Sequence, residues 1–181
     1  MAPAWVTIQT APTARTSVLQ RGEVTVLALV DASELGAAEG ILERIAATIP
    51  TSEYHWTQLL IDLDLELYSD KVRSSAIILE VEGSTISGAS IGDSGAWWID
   101  EFGVENLTER QIERSVLGDG NAHPYAFRIR GLEKGRLLVA TRSLLAVDKA
   151  TVVSAVRGSD LTAASKALAQ LAEATFVLCQ S

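Results

Sequence analysis

The chain has 181 residues, 48% of them hydrophobic and 21% charged, which excludes disordered, collagen-like and coiled-coil classes and suits one compact domain over residues 1–181. Fifteen Lys and Arg against 23 Asp and Glu leave a net charge of −8. No broad basic surface is available to neutralise a phosphate backbone, so no nucleic-acid partner is expected. A single cysteine, Cys179, excludes an intrachain disulfide and a Cys-cluster metal site, and it suits a reducing compartment.

Along the chain, Trp5 to Gln9 alternates as an outer strand, and Val24 to Val30 is a β-branched run without a polar face, a buried strand. After Asp31 the texture changes to small and helix-forming residues, with Ala37, Ala38, Ile41, Leu42 and Ile45 at helical spacing. From Thr57 to Tyr68 the leucines alternate as in a strand, but the Leu, Glu and Gln content favours helix, and a helix is expected. Ala76 to Val81, Thr85 to Ile91 and Ala96 to Ile99 read as a meander joined at Glu82-Gly83-Ser84 and Gly92-Asp93-Ser94-Gly95. Asn106 to Asn121 is polar and loop-like. Two more strands follow at Tyr125 to Ile129 and Arg136 to Thr141, then helices at Lys149 to Arg157 and Leu161 to Ala174. Asp148 and Asp160 stand where N-terminal caps belong, and Thr175 to Cys179 is a closing strand. The expected class is α+β, with helices packed on antiparallel sheets in an α/β/β/α arrangement. No apolar run reaches the roughly 18 residues of a membrane helix. Met1 to Thr10 has neither the basic nor the apolar region of a secretion signal, so a cytoplasmic location is expected and a membrane partner is not.

Residue types that carry chemistry are few. Asp31 ends a buried strand and Asp93 lies in a Gly-flanked turn, places where a sheet can hold a carboxylate for Mg or Mn. By spacing alone they read as a helix cap and an Asx turn. His55 and His123 have no partner at zinc-ligand spacing, and Cys179 lies in an apolar strand where a thiol is inert. Leu117-Gly118-Asp119-Gly120-Asn121 lacks the Lys-Ser/Thr ending of a phosphate loop and reads as a plain turn. Trp97 and Trp98 are adjacent on a strand and point to opposite faces, one into the core and one towards a partner surface.

Ile91-Gly92-Asp93-Ser94-Gly95-Ala96, between a hairpin and a strand, resembles the metal-dependent Ser/Thr phosphatases of the protein phosphatase 2C (PPM) family, small bacterial type. Other blocks follow in the family's order. Leu27 to Glu39 looks like its strand ending in Asp-Gly before a helix, and Ser74 to Val81 like its strand beginning Gly-Thr/Ser-Thr. Leu107-Thr108-Glu109 looks like its Leu-Thr stretch, Ser115 to Phe127 is similar to a segment of the small bacterial members, and Leu137 to Val147 looks like its Leu-Leu-x-x-(Ser/Thr)-Asp-Gly-Leu turn. The resemblance implies the family's two-sheet sandwich flanked by helix pairs. It also implies two Mn or Mg ions that activate a water for attack on a phosphoserine or phosphothreonine.

Carried over position by position, Asp31 matches the bridging carboxylate, Ala32 the glycine whose carbonyl binds metal, and Asp93 the accessory-metal carboxylate. Arg142 and Ser143 stand where the family has Asp-Gly. The family's C-terminal Asp-Asn or Asp-Asp is absent from Ala172 to Phe176. Its early Arg-x-x-Asn-x-Asp is not recognisable in Thr10 to Val24, where Arg15 or Arg21 could replace the arginine. A fixed guanidinium repels a unit cation at 4 Å by roughly 4 kcal/mol in an effective dielectric of 20. No cofactor is therefore expected, Mn or Mg entering only if the chain is active, and an Asp31–Arg142 ion pair is expected in the metals' place. The first expectation is a pseudophosphatase-like module with little or no activity that holds a protein partner, a phosphorylated one through Arg142 and Ser143. The second is a divergent phosphatase recruiting Glu34, Glu39, Asp119 or Asp148. The third is a structural subunit that forms a homo-oligomer through an exposed Trp.

Overall fold

The computed structural model describes residues 4–48, 53–111, 115–132 and 134–180. In chain order the elements are β1 (Ala4–Gln9), β2 (Ala14–Arg21), β3 (Val24–Ala32), α1 (Leu35–Ala47), α2 (Glu53–Asp70), β4 (Ser74–Glu82) and β5 (Thr85–Ile91). They continue with β6 (Gly95–Ile99), β7 (Val104–Asn106), β8 (Tyr125–Ile129), β9 (Arg136–Ala140), α3 (Arg142–Leu145), α4 (Lys149–Val156), α5 (Leu161–Ala169) and β10 (Thr175–Gln180).

The strands form two antiparallel five-stranded sheets in the orders β1-β10-β9-β6-β7 and β2-β3-β4-β5-β8. Period-two alternation sorts their side chains into layers. Leu27, Leu29, Ile77, Leu79, Trp98, Leu137, Val139 and Val177 meet between the sheets. Ala28, Val30, Ala76 and Ile78 face the other way, onto Ile41, Ile45, Trp56 and Leu60 of α1 and α2. On the far side Leu138, Phe176 and Leu178 pack on Val152, Val156, Ala164 and Leu168 of α4 and α5. The result is the expected α/β/β/α sandwich.

Two differences from the sequence reading, at β2 and at the Trp97–Trp98 pair, have physical causes. β2 was not expected, because ARTSVLQR is polar; it is held by pairing with β3 over its whole length, Ala14 opposite Asp31 and Arg21 opposite Val24. The segment 57–68 is helical as expected, with Leu60, Leu63 and Leu67 supplying the buried stripe and Leu65 left exposed. Trp97 and Trp98 do point to opposite faces, but both are buried, Trp98 between the sheets and Trp97 beneath the C-terminal helices. The partner surface assigned to one of them is therefore a second core layer.

Asp148 and Asp160 cap α4 and α5 as expected, accepting from the amides of Thr151 and Ala163, and these hydrogen bonds hold both carboxyls below their ordinary value. Among the described residues no helix is long and apolar enough to cross a membrane.

Candidate functional site

The alternation that buries Leu27 and Leu29 carries Asp31 onto the same inner face at one end of the sandwich. Its cross-strand partner Ser75 continues the Ile77 and Leu79 face. The chain crosses from one sheet to the other between β5 and β6, through Gly92-Asp93-Ser94. Gly92 has φ +94, and a Cβ there would stand 2.3 Å from Ser75 Cβ, so only glycine lets the turn lie this close to β4. Ser94 is then brought within 2.9 Å of Ser75, hydroxyl to hydroxyl, in the buried interior. The Gln111 side-chain amide fixes the same turn from the opposite side by donating to the carbonyls of Gly92 and Ser94.

Arg142 enters this end of the sandwich from β9, as the first residue of α3. Its Nη1 lies 3.7 Å from Asp93 Oδ2, with both side chains well exposed. Together with Ser94, Trp97, Glu109 and Gln111 they line a cleft of about 290 Å³. Lys149 lies over the Trp97 ring, 5.8 Å from its centre.

The expected Asp31–Arg142 ion pair is not formed. Asp31 Oδ1 instead accepts the Thr13 hydroxyl at 2.8 Å, and Arg142 faces Asp93. The physical reason is that β2 runs against β3 and delivers Thr13 to the aspartate. Nor does Asp31 cap α1, whose N-cap position is Glu34, without a side-chain cap bond. Ala32 ends β3 with its amide donating to the Thr13 carbonyl and its methyl buried on the helix side. Ser143 is committed to the backbone: its hydroxyl donates to the Glu173 carbonyl at 2.9 Å and meets Thr141 Oγ1 at 3.1 Å.

The carboxylates considered as substitute ligands are held apart. Glu39 lies 4.0 Å from Arg15, Asp119 pairs with Arg73 at 2.9 Å, and Asp148 caps its helix. Among the described residues no three His, Cys, Asp or Glu side chains converge as a metal cage. One guanidinium against Asp93, with Asp31 bonded to a hydroxyl, does not suit two divalent cations, which need several anionic oxygens each.

One polar site escaped sequence reading. Asp64 is 2% exposed on α2, and its Oδ1 accepts the amides of Gly118, Asp119 and Gly120 while Oδ2 accepts that of Ala122. The glycine-rich segment, read from the sequence as a plain turn, is thus an anion cradle filled by the chain's own carboxylate. The signal was available: Asp64 lies on the same helical stripe as Leu60, Leu63 and Leu67, and a charge there must find donors.

No family model and no curated protein matches the sequence. Solved structures do. A bacterial serine phosphatase superposes with a TM-score of 0.80 at 16% identity, covering 99% of this chain and 97% of its own. A PPM Ser-Thr phosphatase from Mycobacterium smegmatis, in complex with cacodylate, gives 0.75 at 18% identity over 100% of this chain and 98% of its own. PppA, a regulatory component of the T6SS in Pseudomonas aeruginosa, gives 0.78 at 12% identity over 100% and 99%. These identities speak for architecture rather than for chemistry, and by its architecture this chain has the protein phosphatase 2C (PPM) fold of bacterial Ser/Thr phosphatases.

Proposed function

We propose that the chain is a cytoplasmic recognition module, a pseudophosphatase-like protein that uses this fold to hold a protein partner at the Asp93–Arg142 cleft. The observation that supports the reading is Arg142 itself. A guanidinium cannot be deprotonated at any working pH, so it supplies permanent positive charge where the resemblance calls for a carboxylate. Asp31 and Asp93 are then the only carried-over carboxylates, and each is engaged by a neighbour, Thr13 and Arg142 respectively.

Catalysis by this fold would need a water made nucleophilic at neutral pH, and the residues at the cleft offer no obvious substitute for metal in that task. Its polar rim and fixed walls suit binding. The test is a phosphopeptide hydrolysis assay with manganese or magnesium present, run beside Asp31→Ala. The reading expects release of phosphate no faster than the Asp31→Ala background. Metal-dependent turnover abolished by Asp31→Ala would establish the divergent phosphatase instead.

A further inference from the structure

Each sheet ends in two strands with one open side, β1 and β7 in one sheet and β2 and β8 in the other. An open side presents unpaired backbone N–H and C=O groups on which another strand can build, and proteins commonly blunt it with charge or keep it short. Three of the four edges are blunted. β2 carries Arg15 and Arg21, and Arg15 folds back to donate to the carbonyls of Pro12 and Ala14. β8 carries Arg128, and β7 is three residues long with Glu105 in the middle. β1, AWVTIQ, has no charged residue, and the nearest prolines in sequence, Pro3 and Pro12, fall outside it. It pairs with β10 along its whole length, Ala4 opposite Gln180 and Gln9 opposite Thr175. No hydrogen bond from a described residue closes its other side, and the Gln9 side chain, which donates to Thr16 Oγ1, leaves the backbone open. The edge is also apolar where it meets solvent: Trp5 is 37% exposed, whereas Trp56, Trp97 and Trp98 are buried.

From this open, uncharged edge we infer that β1 is a self-association surface, on which β1 of a second copy pairs antiparallel about a two-fold axis normal to the sheet. Symmetry favours a second copy over an unrelated segment. Trp5 and Thr7 stand beside Cys179 and Val177, on the side that faces the other sheet, while Val6 and Ile8 stand beside Leu178 and Phe176 on the helix side. A two-fold axis at Thr7 sets Val6 against Ile8 of the second copy, Thr7 against Thr7 and Trp5 against Gln9, so each residue meets one from its own layer. No pair sets like charges together, although the chain as a whole carries −8. The inference goes beyond the recognition reading and does not depend on it, since β1 contributes nothing to the lining of the Asp93–Arg142 cleft.

Sedimentation velocity of the full chain from about 10 µM to about 1 mM tests this. A dimer that grows with concentration is expected, and a weak one, because a six-residue edge buries less than the roughly 1,200 Å² of stable specific complexes. Thr7→Lys sets cation against cation across the axis and should raise the dissociation constant about tenfold or more. Glu105→Lys, which adds a cation to the opposite edge of the same sheet, should not weaken the dimer. Circular dichroism verifies folding, and if Thr7→Lys does not fold, Trp5→Lys at the exposed position takes its place with the same expectation. A monomer throughout the range would overturn the inference, as would a dimer that keeps its wild-type strength in the folded β1 variant or loses as much in Glu105→Lys.

Discussion

Arg142 and Asp93 face each other across the open end of the sandwich at 3.7 Å, one carried by the start of α3 and the other by the turn that joins the two sheets. Both side chains are more than a third exposed, so water screens the pair and its contribution to folding is small. Asp93→Ala and Arg142→Ala should each shift the unfolding free energy by less than about 1 kcal/mol, read from urea denaturation. A loss of several kcal/mol would mean that the pair is a structural tie between the sheets rather than a surface available to a partner.

The Asp64 cradle behaves oppositely. Four amides point at one buried carboxylate, and removing it strands them. Asp64→Ala should cost about 2–4 kcal/mol. Asp64→Asn should cost less but not nothing, because its amide nitrogen would set a donor against one of the four donors. Hydrogen exchange at Gly118, Asp119, Gly120 and Ala122 should accelerate in both variants relative to the β3 and β4 amides. Unchanged protection there would show that the loop is held by something other than Asp64.

Much of this fold was legible in advance because burial writes itself into periodicity. The runs at Val24 to Val30 and Ala76 to Val81 announce central strands, and the 91–96 block places the crossing turn. β2 was invisible, since its residues are chosen for pairing with β3 rather than for apolarity. The site was legible in its residues and not in its contacts. Asp31, Asp93 and Arg142 could be named through the family resemblance, but which two would pair depends on where Thr13 falls, a fact of the β2–β3 register. Asp64 was missed because a local pattern shows that a charge lies on a buried stripe but not which distant loop satisfies it.

Gly92 tests how closely the cleft depends on its turn. At φ +94, with a Cβ 2.3 Å from Ser75 Cβ and 2.8 Å from Ser75 Cα, alanine has both backbone strain and a collision. Gly92→Ala should destabilise by about 2–4 kcal/mol. Adding Ser75→Gly should recover part of that loss, since it removes the side-chain collision and leaves the backbone contact and the strain. Full additivity of the two substitutions would contradict the contact.

Cys179 supplies a dependence on pH. Burial between the sheets raises its thiol from an ordinary 9.0 to about 11, so above pH 9 the unfolded chain releases a proton that the folded chain retains. The stability due to the buried neutral thiol is therefore fully present below pH 9 and is lost as pH rises towards 11, on the order of 2 kcal/mol by the upper end. Comparing the pH slope of unfolding in the wild type and Cys179→Ala isolates this thiol from the Lys and Tyr groups that titrate in the same range. Equal slopes would show that the thiol ionises alike in both states.

The central claim, that Arg142 has closed this end of the fold to a pair of divalent metals, is tested most directly by calorimetric titration of the metal-stripped chain with manganese, beside Arg142→Asp and Asp31→Ala. The account predicts no saturable heat with the wild type at millimolar manganese. It predicts measurable binding once Arg142→Asp replaces the guanidinium by a carboxylate. Micromolar binding by the wild type that disappears in Asp31→Ala would contradict it and restore a metal-dependent phosphatase.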